Sequence, residues 1–217
     1  MNTLRCIFLI PALLLISMSA TAQIDTLFTP AARLGLDVSG FARHLIETET
    51  LPVELSFDYE WQQNYFAAAE VGWLNVDVNR ETHRYNAQGF FFRTGVDIGI
   101  LGGDIHNPND HVLLSVRYGY GRLKQEAPYI LISDTNWGDY ETSVDPETYQ
   151  AHWIEAGLGM KTSIWNNLFL GWSLRGRVRL GSTSDPNMEP YFISGYGKSN
   201  NATLMFHYSI YYRFPLK

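Results

Sequence analysis

Three groups of side chains have types and spacings that bear on chemistry. Arg175, Arg177 and Arg179 occupy alternate positions, which sets three guanidiniums on one face of an extended strand. Such a row can bind an anion. Pairing is favoured instead, because Glu54, Asp58, Glu60, Asp97 and Glu155 are acids at matching strand positions. His207 and Ser209 also stand two apart and, with Glu155, supply the side-chain types of a serine hydrolase. A structurally satisfied histidine on an alternating strand is the simpler reading, and it is preferred. Asp104, His106, Asn107, Asn109, Asp110 and His111 crowd one stretch with N and O donors. Their spacing fits no metal site, and Asn107-Pro108-Asn109-Asp110 reads as turn chemistry. No catalytic, metal or cofactor assignment follows.

Strands must position these residues. Val53, Leu55, Phe57, Tyr59 and Trp61 alternate with Glu54, Ser56, Asp58 and Glu60, a period of two that gives a strand with two unlike faces. The same alternation recurs at Leu34 to Val38, Tyr65 to Val78, Phe90 to Ile100, Val112 to Tyr120, Ile154 to Ile164, Leu168 to Leu180 and Leu204 to Phe214. That predicts eight strands. The second, fourth and sixth links are Gln62-Gln63-Asn64, Gly102 to Asp110 and Trp165-Asn166-Asn167; the third, fifth and seventh are Asn79 to Arg84, Lys124 to Glu147 and Ser182 to Asn200. Short turns on one rim and long loops on the other are the layout of a membrane barrel. The first link, around Thr48 to Leu51, reads as short.

The faces decide between a membrane barrel and a soluble one. No residue of the apolar set is charged, while the opposite set combines Gly and Ser with Arg33, Asp37, Glu54, Asp58, Glu60, Arg93, Asp97, Arg117, Glu155, Lys161, Arg175, Arg177, Arg179 and Arg213, and with Glu70 if its phase holds. Small residues and guanidiniums suit a crowded lumen better than a solvated surface. Eight bases against seven acids predict an ion-pair lattice that fills the interior, since unpaired buried ions are very costly. Hydrocarbon offers no partner to an open sheet edge, so the first strand must pair with the eighth.

The chain has 217 residues, 46% apolar and 18% charged, with a net charge of −6 and one cysteine. The apolar content excludes a disordered chain. A lone Cys excludes an internal disulfide framework, and the acidic balance argues against a nucleic-acid partner. Residues 1–22, with Arg5, an apolar run and Ala20-Thr21-Ala22, have the layout of a cleaved signal peptide. Residues 23–31 then form a periplasmic leader and 32–217 the barrel.

The stretches Ala151-His152-Trp153-Ile154-Glu155 and Asn166 to Arg175, with Thr135-Asn136-Trp137-Gly138 and Tyr208 to Pro215, resemble a bacterial family known as domain of unknown function 6048. The resemblance implies a small outer-membrane barrel and supplies no activity or catalytic residue.

The sequence thus predicts an all-β, eight-stranded antiparallel up-and-down transmembrane barrel in the outer membrane of a Gram-negative envelope. It is read as a monomer in contact with outer-membrane lipid, without a cofactor, in a structural or envelope-interaction role. The competing readings are a narrow or gated anion-favouring pore and a lipid-modifying hydrolase. Tyr129, Trp137 and Tyr140, set among acids in the expected Lys124 to Glu147 loop, form the surface best suited to an envelope-protein partner.

Overall fold

Each alternating stretch is extended, and the sheet so formed closes on itself. The computed structural model describes residues 29–40, 50–102, 110–136, 138–183 and 187–215. The strands are β1 (Ala31–Asp37), β2 (Thr50–Gln62), β3 (Tyr65–Asn79), β4 (His83–Gly102), β5 (His111–Asp134), β6 (Gly138–Trp165), β7 (Leu168–Ser182), β8 (Phe192–Ile193), β9 (Gly197–Lys198) and β10 (Ala202–Pro215). Eight of them form a closed barrel in the order β1-β10-β7-β6-β5-β4-β3-β2, and β8 and β9 pair with each other. All neighbours are antiparallel, and the seam runs from Ala31 opposite Pro215 to Asp37 opposite Ser209. Closure leaves no bare edge in the ring.

Residues 1–22, the turn at 103–109 and Trp137 lie outside the described residues. The barrel begins at Ala31. Asn64, in the left-handed region at φ 65°, turns the chain between β2 and β3, a conformation that asparagine tolerates better than most residues.

Side chains of the apolar set project outward: Leu55, Phe57, Val71, Phe90, Val116, Leu174, Phe206 and Ile210 are all exposed. On the opposite face Arg33, Asp58, Glu70, Arg93, Asp97, Arg117, Glu155, Arg175 and Arg177 are buried. Hydrophobic side chains turned out and ionic ones turned in are what hydrocarbon selects. On β4 the outward apolar run extends from Phe90 to Ile100; at about 3.3 Å per residue and a tilt near 40°, that approaches the roughly 25 Å apolar band of such barrels. Trp61 and Tyr65 at one border, with ring centroids 6.2 Å apart, and Phe92 and Tyr120 near the other, at 5.6 Å, provide aromatic edges.

Two expectations about the links are corrected. The segment from Lys124 to Glu147 is not a loop. β5 and β6 continue as a paired ribbon to Asp134 opposite Gly138, because Leu131 to Ser133 and Asp139 to Glu141 can still exchange backbone hydrogen bonds above the membrane. The first link is not short, since β1 stops at Asp37 and β2 starts at Thr50. Asp37 ends its strand by accepting from Ser39 N at 2.7 Å, Ser39 Oγ at 2.5 Å and Gly40 N at 3.2 Å, the arrangement of an N-cap.

The seventh link folds back over the mouth. Phe192, Ile193 and Tyr196 are buried against Leu74, Phe91, Leu123, Tyr149 and Trp153 in one apolar cluster. At the tip of this cap Gly195 adopts φ +75° directly against the Phe91 ring. Only glycine suits both the dihedral and the approach.

Candidate functional site

Alternation on neighbouring strands sends charged side chains to the same levels of the lumen, where they meet. At the short-turn end Asp58 accepts from Arg33 Nε and from Lys161 Nζ, each at 2.6 Å. Arg33 also lies over the Phe66 ring, 4.6 Å from its centroid, and Lys161 over Tyr211 at 4.6 Å. These contacts keep the cations desolvated yet compensated.

At mid-height Glu70 is the hub. Arg175 clamps it with both terminal nitrogens at 2.8 Å, Arg93 Nε lies 2.8 Å away, and Arg117 Nε lies 3.8 Å away. Arg117 Nη1 also meets Asp97 at 2.6 Å, and Arg93 pairs with Glu54. Glu155 collects Arg177 Nε at 2.9 Å, Arg93 Nη1 at 3.4 Å and Arg175 Nη1 at 3.5 Å, and accepts from Trp153 Nε1 at 2.7 Å. The chain of contacts runs unbroken from Arg33 to Asp37, because Lys161 Nζ lies 3.8 Å from Asp97 and, further along, Arg177 reaches His207 at 2.6 Å and His207 reaches Asp37 at 2.9 Å.

Two members of the predicted set sit at the rims of this lattice. Arg179 donates to Tyr149 Oη and Ser199 Oγ at 3.2 Å each, at the upper rim, and contacts neutral groups. Glu60, at the lower rim, accepts from Asn64 N at 3.2 Å. Arg213 is half-buried and stands opposite Arg33 in the β1–β10 register. Of the partner surface, Tyr140 is exposed on the ribbon and Tyr129 half-buried.

The hydrolase geometry is absent among the described residues. An arginine is always a donor, so the 2.6 Å contact with Arg177 makes His207 Nε2 an acceptor, and Nδ1–H must donate to Asp37. Ser209 Oγ reaches Asp37 at 3.5 Å rather than the imidazole. Nε2, the atom a serine would need, is already occupied. Asp37, Glu54 and His207 do bring ligand atoms within 4.8 Å of one another, but the adjoining Arg177 and Arg93 guanidiniums oppose a cation there.

Sequence reasoning missed the division of the lumen. Below Trp153 it is ionic; above it lies the apolar cluster with its cap. The signal was present, since Leu74, Val76 and Val78 share the phase of Glu70. Outside the barrel Glu147 ties the cap to the wall by accepting from Gln125 Nε2 at 2.8 Å, Asn187 N at 3.0 Å and Met188 N at 3.1 Å. Its slight burial pushes the carboxyl up, but these hydrogen bonds prevail and hold it below the usual range.

A closed antiparallel barrel with an even number of strands, an apolar exterior, and the start of its first strand and end of its last on the short-turn rim is an outer-membrane β-barrel, and the outer membrane is its place. Over residues 3–217 the sequence matches the model of the family described as domain of unknown function (DUF6048), and the chain belongs to that family. None of the curated proteins matches it. Among solved structures it is similar to a major outer membrane protein from Thermus thermophilus, with a TM-score of 0.52 and 10% identity over 86% of this chain and 99% of that one. The Ail attachment invasion locus protein of Yersinia pestis matches at a TM-score of 0.42 and 11% identity, covering 86% of this chain and 97% of its own. The N-terminal barrel domain of Pseudomonas aeruginosa OprF matches at 0.29 and 12%, covering 86% and 98%. At such identities the first likeness concerns the fold.

Proposed function

We propose that the protein is a sealed, non-conducting and non-catalytic barrel with a structural or envelope-interaction role. The observation that carries this reading is the Glu70 hub, where one carboxylate meets Arg93, Arg117 and Arg175 across the middle of the lumen. Two spaces beside it measure about 20 and 40 Å³, room for isolated waters rather than a file of ions. Above the hub the Tyr196 carbonyl accepts from Arg177 Nη1 at 2.9 Å, so the cap rests on the lattice. The anion-pore reading requires guanidiniums with spare charge, and Arg93, Arg117, Arg175 and Arg177 each face a carboxylate. The envelope partner would engage the outer ribbon at Tyr129 and Tyr140, beside Asp139 and Glu141.

Planar-bilayer recording tests the reading. The purified protein is expected to give no steady current at either polarity; a reproducible single-channel conductance would establish the pore instead.

A further inference from the structure

Beyond the membrane, the cap and the raised wall of β3, β4 and β5 leave a cavity of about 600 Å³ that opens outward. That size lies within the roughly 300–1,000 Å³ of small-ligand sites, and barrel mouths are a common place for them. Its walls are Val78, Ala127, Leu131 and Met188, with the ring of Tyr85. The polar groups of these walls are already committed: Tyr85 Oη donates to Gln125 Oε1 at 3.0 Å, and Gln125 Nε2 donates to Met188 O at 2.5 Å. The interior therefore offers a guest apolar contact.

Charge is confined to the rim. Arg80, His83 and Arg84 stand there with Glu189. The Arg84 side chain has no ionic or hydrogen-bonded partner among the described residues. An apolar chamber with the unpartnered Arg84 guanidinium at its entrance fits a guest whose hydrophobic part enters first and whose negative end stays outside.

We propose that this cavity binds a small amphiphile with one anionic head group, its alkyl or aryl body against Val78, Ala127, Leu131 and Met188 and its head on Arg84. The assignment goes beyond the sealed-lumen reading, because the cavity lies outside the lattice and would fill whether or not the barrel conducts.

The test uses the protein in lipid nanodiscs, since detergent would compete, with dansylaminoundecanoate as a fluorescent anionic probe and its methyl ester as the uncharged comparison. Saturable binding in excess of empty nanodiscs is expected, with the acid preferred over the ester. Arg84→Glu should weaken the acid about tenfold and spare the ester. Met188→Trp, which fills the chamber, should weaken both by at least about tenfold, a factor that corresponds to about 1.4 kcal/mol. Folding of each variant is checked by heat-modifiable gel migration, and Leu131→Trp on the opposite wall replaces Met188→Trp if the latter does not fold. No excess over empty nanodiscs, or binding indifferent to the filling variants, overturns the site. Equal affinity for acid and ester, unchanged by Arg84→Glu, overturns the anionic head.

Discussion

Replacing Glu70 by Gln removes one charge from the most crowded point of the lumen. Glu70 receives both nitrogens of Arg175 at 2.8 Å and Arg93 Nε at 2.8 Å. With charge centres about 4 Å apart and an effective dielectric near 20, each pair attracts by about 4 kcal/mol, or about 8 kcal/mol for the two. Desolvation offsets several kcal/mol per ion, and losing one partner of a buried pair costs about 3–5 kcal/mol. The amide makes matters worse, because its NH2 group would face guanidinium donors that accept nothing. Glu70→Gln is therefore expected to lower stability by about 3–5 kcal/mol, read from urea unfolding and refolding in phospholipid vesicles by tryptophan fluorescence. Glu60→Gln, which touches a carboxylate whose hydrogen bond comes from the backbone of Asn64, should cost under about 1 kcal/mol. If the two variants lost equal stability, or Glu70→Gln lost less than about 1 kcal/mol, the lattice would not be what holds the lumen closed.

Strand number, facing and closure were legible because a bilayer imposes them on every strand. A period of two with one face free of charge leaves few architectures, and hydrocarbon forbids an open edge. The vertical organisation was harder to read. Trp153 sits two residues from Glu155, on the same face of β6, yet one belongs to the apolar cluster and the other to the lattice. Alternation assigns a side chain to a face, and its height depends on the stagger between strands. That stagger is visible only in pairings such as Arg93 opposite Gly119 and Arg117 opposite Glu155. The ribbon escaped because Glu126, Asp134 and Asp139 have the composition of a loop. Above the membrane a strand can be polar on both faces, so composition no longer separates strand from loop there. The first link escaped because Asp37 was read by its charge, whereas its hydrogen bonds to Ser39 and Gly40 stop the strand.

Three further outcomes follow from the same geometry. Val116 is 54% exposed and its neighbour Ser115 is 5% exposed, so spin labels on Val116→Cys and Ser115→Cys, in a chain lacking Cys6, should report oxygen at the first position and not at the second; equal accessibility would contradict the facing. A Cβ at position 119 would fall within the Trp153 indole, so Gly119→Val should displace that ring and cost about 1–3 kcal/mol in vesicle unfolding; an unshifted midpoint would show that the indole is not confined. The cap should respond to pH through Glu147, which lies above the membrane. Its carboxyl is lowered in the folded protein, so its contribution is fully present above the ordinary carboxylate value, near 4.3, and is lost as pH falls through the lower folded value. Hydrogen exchange of the Asn187 and Met188 amides, corrected for intrinsic rates, should stay slow from neutral pH down to about 5 and quicken under more acidic conditions. Glu147→Gln should quicken it already at neutral pH, because an amide is a weaker acceptor for three N–H donors than a carboxylate. Unchanged protection in that variant would mean that the buried rings of Phe192 and Tyr196 hold the cap without Glu147.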